Sequence, residues 1–293
     1  LGALKLRSYS ISGPVPINKF QSRASPMCIA FKCLPMWMVR SVLLALSVTL
    51  MSPVWAAQEI RVGAAHFPPY IVRPERGSDT GLLQKLLSAM NELQSDYKFT
   101  AVPTSLARRV RDFDQGRVDL ILFESSNWGW QGVDYDAVDL GLVDSEVFIA
   151  KQQPGRDQSY FDDLKGKRLA LFSGYHYAFA DFNPAPSYLL NHFDATLTYS
   201  HESNLQMVLR GRVDMTLMTR SNLNDLLRHN PQYKSRVLIS DRADQRYHHY
   251  AFIRPHGPIK AEEVTKLIKA LKDNGQLKAI FAPYNIELVE TES

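Results

Sequence analysis

The sequence is poor in cysteine. Two occur in 293 residues, Cys28 and Cys33, both close to the N-terminus. That is too few for a disulfide scaffold or a four-cysteine zinc site. Acidic residues are missing from the first 56 positions. No apolar stretch approaches the roughly 20 residues that span a bilayer. Neither a Gly-x-Ser-x-Gly elbow, a phosphate-binding P-loop nor a Gly-x-Gly-x-x-Gly turn is present. No catalytic constellation is expected. The eight histidines form no His-x-x-x-His pair. His248 and His249 are adjacent, and neighbours on a strand face opposite sides. No metal site and no cofactor is expected. Asp134, Asp136, Asp139 and Asp144 read as a solvated connection rather than an acid/base pair.

The first 56 residues differ from the rest. They carry Lys5, Arg7, Lys19, Arg23, Lys32 and Arg40 against no acid. Residues 42–50 form an apolar run broken only by Ser47 and Thr49. Arg40 precedes it, and Val54 and Ala56 stand at −3 and −1 of a cleavage point after Ala56. This is the pattern of a secretory signal peptide. The two cysteines lie upstream of the apolar run, so neither marks a lipid-anchored mature start. The chain begins with Leu, and residues 1–35 show no periodicity. Translation is expected to start at Met36 or Met38. The remaining 237 residues carry 28 Lys+Arg and 30 Asp+Glu. The basic balance of +4 thereby becomes −2, and a nucleic-acid partner is not expected. The 45% hydrophobic and 22% charged content excludes general disorder.

After the leader, strands alternate with helices. Glu59-Ile60-Arg61-Val62-Gly63 opens as a strand. Asp79 or Thr80 caps an expected helix over 81–93, with Leu82, Leu83, Leu86, Leu87, Met90 and Leu93 at 3–4 spacing. A strand follows at 98–102. Ser105 caps a helix with Leu106, Val110 and Phe113 on one face, and 118–123 is a third strand. The pattern returns with a strand at 168–172, a helix around 204–210 and a strand at 213–218. Such alternation predicts doubly wound α/β architecture.

An internal echo supports two similar lobes. Gly116-Arg117-Val118-Asp119 matches Gly211-Arg212-Val213-Asp214. Four mostly apolar residues follow each, and then a polar loop with Ser-Asn in the same register. The reading is helix, glycine cap, strand and polar loop. Ligands bind at that end of strands in open α/β sheets. Residues 146–152 and 248–254 read as short strands crossing between lobes. The expected divisions are 1–56 leader and signal peptide, 57–149 first part of lobe 1, 150–247 lobe 2, and 248–293 return to lobe 1. Helices at 261–273 and 276–281 should pack on lobe 1.

These motifs, with Phe67-Pro68-Pro69-Tyr70, Gly81, Leu164-Lys165-Gly166-Lys167-Arg168 and Asp273-Asn274-Gly275, occur in the order seen in a known family. The chain resembles the family 3 extracellular solute-binding proteins, periplasmic amino-acid-binding components of ABC transporters. The resemblance covers nearly the whole mature chain. It implies type II binding-protein lobes, two hinge strands and a ligand enclosed between them. It implies further that Phe67 lines the ligand, that the loop 124–127 supplies backbone and Ser126 contacts, and that amides of Gly174, Tyr175 and His176 receive a carboxylate. Two departures stand out. The family's carboxylate-clamping Arg has Gln131 nearest its place, and its amine-pairing Asp falls on Thr219, beside Arg220. A standard free amino acid is therefore an unexpected ligand.

Other candidates follow from the residues themselves. Trp128 and Trp130 flank Gly129 in the first polar loop, and alternation allows one of them to face a ligand. Glu124 either meets a cationic ligand or bonds an arginine, Arg108 being one candidate. One of Arg108 and Arg109 should be exposed. Arg220 either binds a carboxylate or is solvated, and Tyr175 and His176 either contact ligand or pack their loop. The expected function is periplasmic capture of a small polar, nitrogen-containing solute by lobe closure, for an ABC-type permease or a sensor protein. The protein is expected to be a monomer and not an enzyme. Two alternatives stay open: a dehydratase-like enzyme using Glu124 or His176 as general acid, and an orphan sensory domain.

Overall fold

Ile60 and Val62 alternate inward along the first strand, β1 (Gln58–Ala64). The computed structural model describes residue 13 and residues 56–77 and 81–290. The expected signal peptide, translation start and helix caps Asp79 and Thr80 fall outside these residues. β1 lies parallel between β2 (Tyr97–Pro103) and β3 (Leu120–Glu124). Helix α1 (Leu82–Leu93) joins β1 to β2 and buries Leu82, Leu83, Leu86, Leu87 and Met90. That is one face of a 3.6-residue period. Leu93 ends the helix partly exposed. Helix α2 (Arg109–Asp114) starts later than the spacing from Ser105 suggests. Ser105 instead opens a turn, its carbonyl accepting from the amides of Arg108 and Arg109 at 2.9 Å each.

The crossing strands are far longer than the sequence suggests. β4 (Asp136–Lys151) and β8 (Val237–Ile253) run antiparallel along most of their length. Between them in sequence lies the second lobe. It contains β5 (Leu169–Phe172), α3 (Pro186–His192), β6 (Ala195–Thr198), α4 (His201–Leu209), β7 (Met215–Thr219) and α5 (Arg220–His229). β5 pairs in parallel with β6 and β7, and β7 pairs antiparallel with the far half of β4, Glu146 opposite Thr219. The expected lobe border at 149/150 therefore falls inside a strand pairing. Helices α6 (Ala261–Asp273) and α7 (Gln276–Phe281) pack against α1 in the first lobe. A final strand, β9 (Glu287–Leu288), pairs with β4 at Val143 and Leu142. One continuous sheet results, in the order β2-β1-β3-β8-β4-β7-β5-β6. It is the two-lobed, doubly wound α/β arrangement expected.

The internal echo has a tertiary cause. Asp119 accepts from Arg61 Nε at 2.9 Å and Nη2 at 2.7 Å, while its amide donates to the Arg61 carbonyl at 2.8 Å. Asp214 repeats this with Arg168: Nε at 3.0 Å, Nη2 at 3.0 Å, and amide to carbonyl at 2.8 Å. In each lobe the Asp entering the third strand grips the Arg at the first. The sequence repeats because the clamp repeats. Burial alone would raise the Asp119 carboxyl, but its bonds from Arg61 and Arg254 outweigh that and hold it below the usual range.

Candidate functional site

A cavity of about 40 Å³ opens where the ends of β1 and β3 meet the lobe-2 loop after β5 and the crossing strands. That is room for a few waters in this arrangement. The first lobe contributes Ala65, Phe67, Leu106, Arg109, Phe123, Glu124 and Trp128. The second contributes Gly174, Tyr175 and His176, and the crossing strands contribute Glu146 and Gln245. Of the expected ligand residues it thus gathers Phe67, Glu124, Trp128, Tyr175 and His176.

Three aromatic rings form its walls. Phe67 meets Trp128 edge-on at 5.6 Å and Tyr175 at 5.8 Å. Such geometry places a ring edge against a ring face. Trp128, not Trp130, lines the cavity. Trp130 is buried inside lobe 1 among Phe113, Tyr135 and Phe252, and its indole N–H donates to Glu124 Oε2 at 2.9 Å. The turn over 126–129, with Gly129 at φ 86, sends the two indoles to different sides.

Glu124 is bonded to Arg109, while Arg108 is exposed. Arg109 Nε donates to Oε1 at 2.7 Å, Nη1 to the Leu106 carbonyl at 2.6 Å, and Nη2 to the Trp128 carbonyl at 2.5 Å. Both side chains are buried. A buried ion pair survives only when its remaining donors and acceptors are also satisfied. The carbonyls of Leu106 and Trp128 and the Trp130 N–H do that here. Phe123, just before Glu124, adopts φ 65. This left-handed value is uncommon for a bulky residue, and it coincides with the register shift between β3 and β8.

Ser126 and Gln131 lie instead along a separate outward hollow with Asn127 and Trp130. Arg220 opens α5 and donates from Nη2 to the Ser240 carbonyl at 3.3 Å, outside the cavity lining. Thr219 is fully buried behind the cavity and donates from Oγ1 to Glu146 Oε1 at 2.8 Å. Gly174, Tyr175 and His176 line the cavity, but no α-helix starts there. A 3-10 turn, Ala178–Ala180, follows instead. The amides of Ala178 and Phe179 donate to the Asp244 carboxylate at 2.7 and 2.9 Å. An internal anion thus occupies the amides at this turn.

Sequence reasoning missed Arg109 as the Glu124 partner, and missed Glu146 and Gln245 altogether. Glu146 carried a readable signal: an acid immediately before the apolar run Val147-Phe148-Ile149-Ala150 and at alternation spacing from Asp144. Its carboxyl is 2% exposed, and Oε2 meets no hydrogen-bond partner among the described residues. Burial pushes this carboxyl well above its ordinary value, against the opposing bond from Thr219. Asp144, two residues earlier, accepts from the Tyr70 hydroxyl at 2.7 Å and is also raised by burial. Gln245 carried no signal, because its role exists only in three dimensions. It accepts from Trp128 Nε1 at 3.2 Å and donates to the His176 carbonyl at 2.6 Å, linking the two lobes.

The lobes meet closely at two glycines. A Cβ on Gly129 would stand 3.1 Å from His176 Nε2, and one on Gly174 3.3 Å from Leu106 Cβ. Both have φ near +86 to +87, so a side chain would be strained as well as crowded. Burial, with Arg109 nearby, lowers the His176 imidazole to about 3, so it is neutral at pH 7.

A cavity walled by two α/β lobes and crossed by paired hinge strands defines a solute-binding protein of the two-lobed type. The chain belongs to the periplasmic substrate-binding proteins of ABC transporters: the family model described as "ABC transporter, phosphonate, periplasmic substrate-binding protein" matches residues 80–291. No curated protein matches the chain. Among solved structures it is similar to the substrate-binding protein of an amino acid ABC transporter, with TM-score 0.57, 19% identity, and 77% of this chain and 98% of that chain covered. It is similar to an ancestral arginine-binding protein bound to arginine, with TM-score 0.58, 18% identity, and 78% and 99% covered. It is also similar to a histidine kinase sensor domain, with TM-score 0.59, 16% identity, and 80% and 99% covered. At these identities the structures share the fold. No helix among the described residues is long and apolar enough to cross a membrane. No group of three or more metal-ligating side chains occurs among them.

Proposed function

We propose that this protein captures a small polar, nitrogen-containing solute between its lobes and delivers it to an ABC-type permease, by closure alone and without chemistry. The observation that carries this reading is the cavity itself. Both lobes line it, and Gln245 ties Trp128 of one to His176 of the other. A ligand touching both lobes stabilises the closed arrangement in proportion to its preference for it. β4 and β8 are the hinge, and the lobes divide near residues 145 and 246, where β4 changes neighbours. Export after cleavage at Ala56 and action as a monomer complete the proposal.

The enzyme alternative gains little. Glu124 is held by Arg109 and Trp130, and His176 is neutral at physiological pH. Neither is placed to donate a proton as a general acid. The sensory alternative is favoured only by the shared fold with a kinase sensor domain.

A thermal-shift screen of the protein tests the reading. The compounds are amino acids, polyamines, short peptides, di- and keto-acids and phosphonates. A solute at about 100 times its Kd adds about 2.7 kcal/mol to the folded state, and the melting temperature must rise. No shift from any compound overturns the solute-binding reading.

A further inference from the structure

We propose that Glu146 determines the specificity of the cleft, and that the ligand it selects is a small organic ammonium ion carrying no carboxylate or phosphonate. The inference rests on the solute-binding reading above and names the ligand class.

Glu146 reaches the cavity from the hinge strand with one oxygen held by Thr219; the other makes no well-formed hydrogen bond, the nearby Tyr247 hydroxyl being itself unpartnered. The Tyr175 hydroxyl, also on the cavity wall, is buried and unpartnered too. Buried acceptors without donors are costly. An N–H-bearing cation supplies both needs at once. Phe67, Trp128 and Tyr175 line the same space, and the face of an aromatic ring favours a cation.

The cationic group that would receive an anion is occupied by the protein. Among the described residues Arg109 is the one arginine or lysine lining the cavity, and Glu124 with two carbonyls takes up its guanidinium. Just past the cavity-lining Gly174–His176, the amides of Ala178 and Phe179 hold Asp244. His176 is neutral, its proton driven off by burial. A phosphonate or carboxylate would enter with no free positive partner and would meet a second acid. Desolvating a charge without a partner is strongly unfavourable.

The groups facing Glu146 agree. Thr219 comes from β7, Asp144 from the same strand, Asp244 and Tyr247 from β8, and Tyr175 and Tyr177 from the lobe-2 loop. None is cationic. Burial and the acids on β4 and β8 all favour the protonated carboxyl. A bound ammonium opposes that preference and draws the carboxyl toward its ionised form.

Calorimetric titration of the full chain tests this. The cationic probes are ethanolamine, putrescine and methylammonium. The opposing probes are 2-aminoethylphosphonate, L-glutamate and inorganic phosphate. A cationic probe is expected to bind best, with heats that differ between PIPES and HEPES buffers because protons are released. Glu146→Gln is expected to lose at least tenfold in affinity and to abolish the buffer dependence. Its ligand-free melting temperature should not fall at pH 8, since a buried acid has been removed, so weak binding cannot be blamed on misfolding. Should the variant fail to fold, proton release by the wild-type protein decides the matter. Tighter binding of an anionic probe, unchanged affinity in the variant, or cation binding without proton release each overturns the inference. If only an anionic compound from the broader screen binds, the inference falls and solute binding stands. If no compound binds in either experiment, both fall.

Discussion

Arg109 and Glu124 show how one buried pair sets a loop. The guanidinium holds the Trp128 carbonyl and the carboxylate holds the Trp130 indole, so both tryptophans take their places from it. Arg109→Ala leaves Glu124 buried and unpaired. It should destabilise the protein by about 3–5 kcal/mol, read from urea unfolding. The two tryptophans should separate cleanly. Trp130→Ala costs about 3–5 kcal/mol in stability by emptying the core of lobe 1. Trp128→Ala should weaken ligand binding tenfold or more with a smaller loss of stability. Equal behaviour of the two variants would contradict their opposite placements. At this scale Phe67, Trp128, Tyr175 and His176 were legible, because an aromatic or polar residue at a strand end is a local signal. Glu124 was legible too, though its partner was not. Arg109 and Arg108 are neighbours in one turn, and only packing decides which is buried.

The elements repeat a device that pH should reveal. Asp119 titrates below its ordinary value because Arg61 and Arg254 favour the carboxylate over the opposing effect of burial. Its contribution to stability is present above the unfolded carboxylate value, about 3.9, and is lost as pH falls through the lower folded value. Asp119→Asn should therefore be less stable than the parent at pH 7, with the difference shrinking below about pH 4. Denaturant midpoints across pH measure this. Asp214 is also lowered, chiefly by its bonds from Arg168, and its variant should follow with a smaller amplitude because the pair is more exposed. The repeated tetrapeptide was legible, but its arginine partners were not. Arg61 lies 58 residues from Asp119, and Arg168 lies 46 from Asp214. Strand pairing alone unites them.

Across the whole molecule, Gly129 and Gly174 permit the lobes to approach. Gly129→Ala should resist full closure, through crowding against His176 and a strained φ. We expect the affinity of whichever solute binds to fall by tenfold or more, while the free protein unfolds within about 1–2 kcal/mol of the parent. Solution scattering offers a direct check: ligand should reduce the radius of gyration of the parent more than that of the variant. If ligand compacts both equally, closure does not pass through this contact.

The sequence alone determined the strand–helix alternation, the two similar lobes and the kinship with periplasmic binding proteins. Those features follow from local periodicity and from residues close together in the chain. Only the tertiary structure decided the character of the cleft. Arg109 is neutralised by Glu124, the amides of Ala178 and Phe179 are taken by Asp244, and Glu146 is left with a free oxygen beside Thr219. Each of these depends on residues far apart in sequence being brought together out of water. Charge pairing and desolvation act through distance and burial, which a linear pattern does not encode.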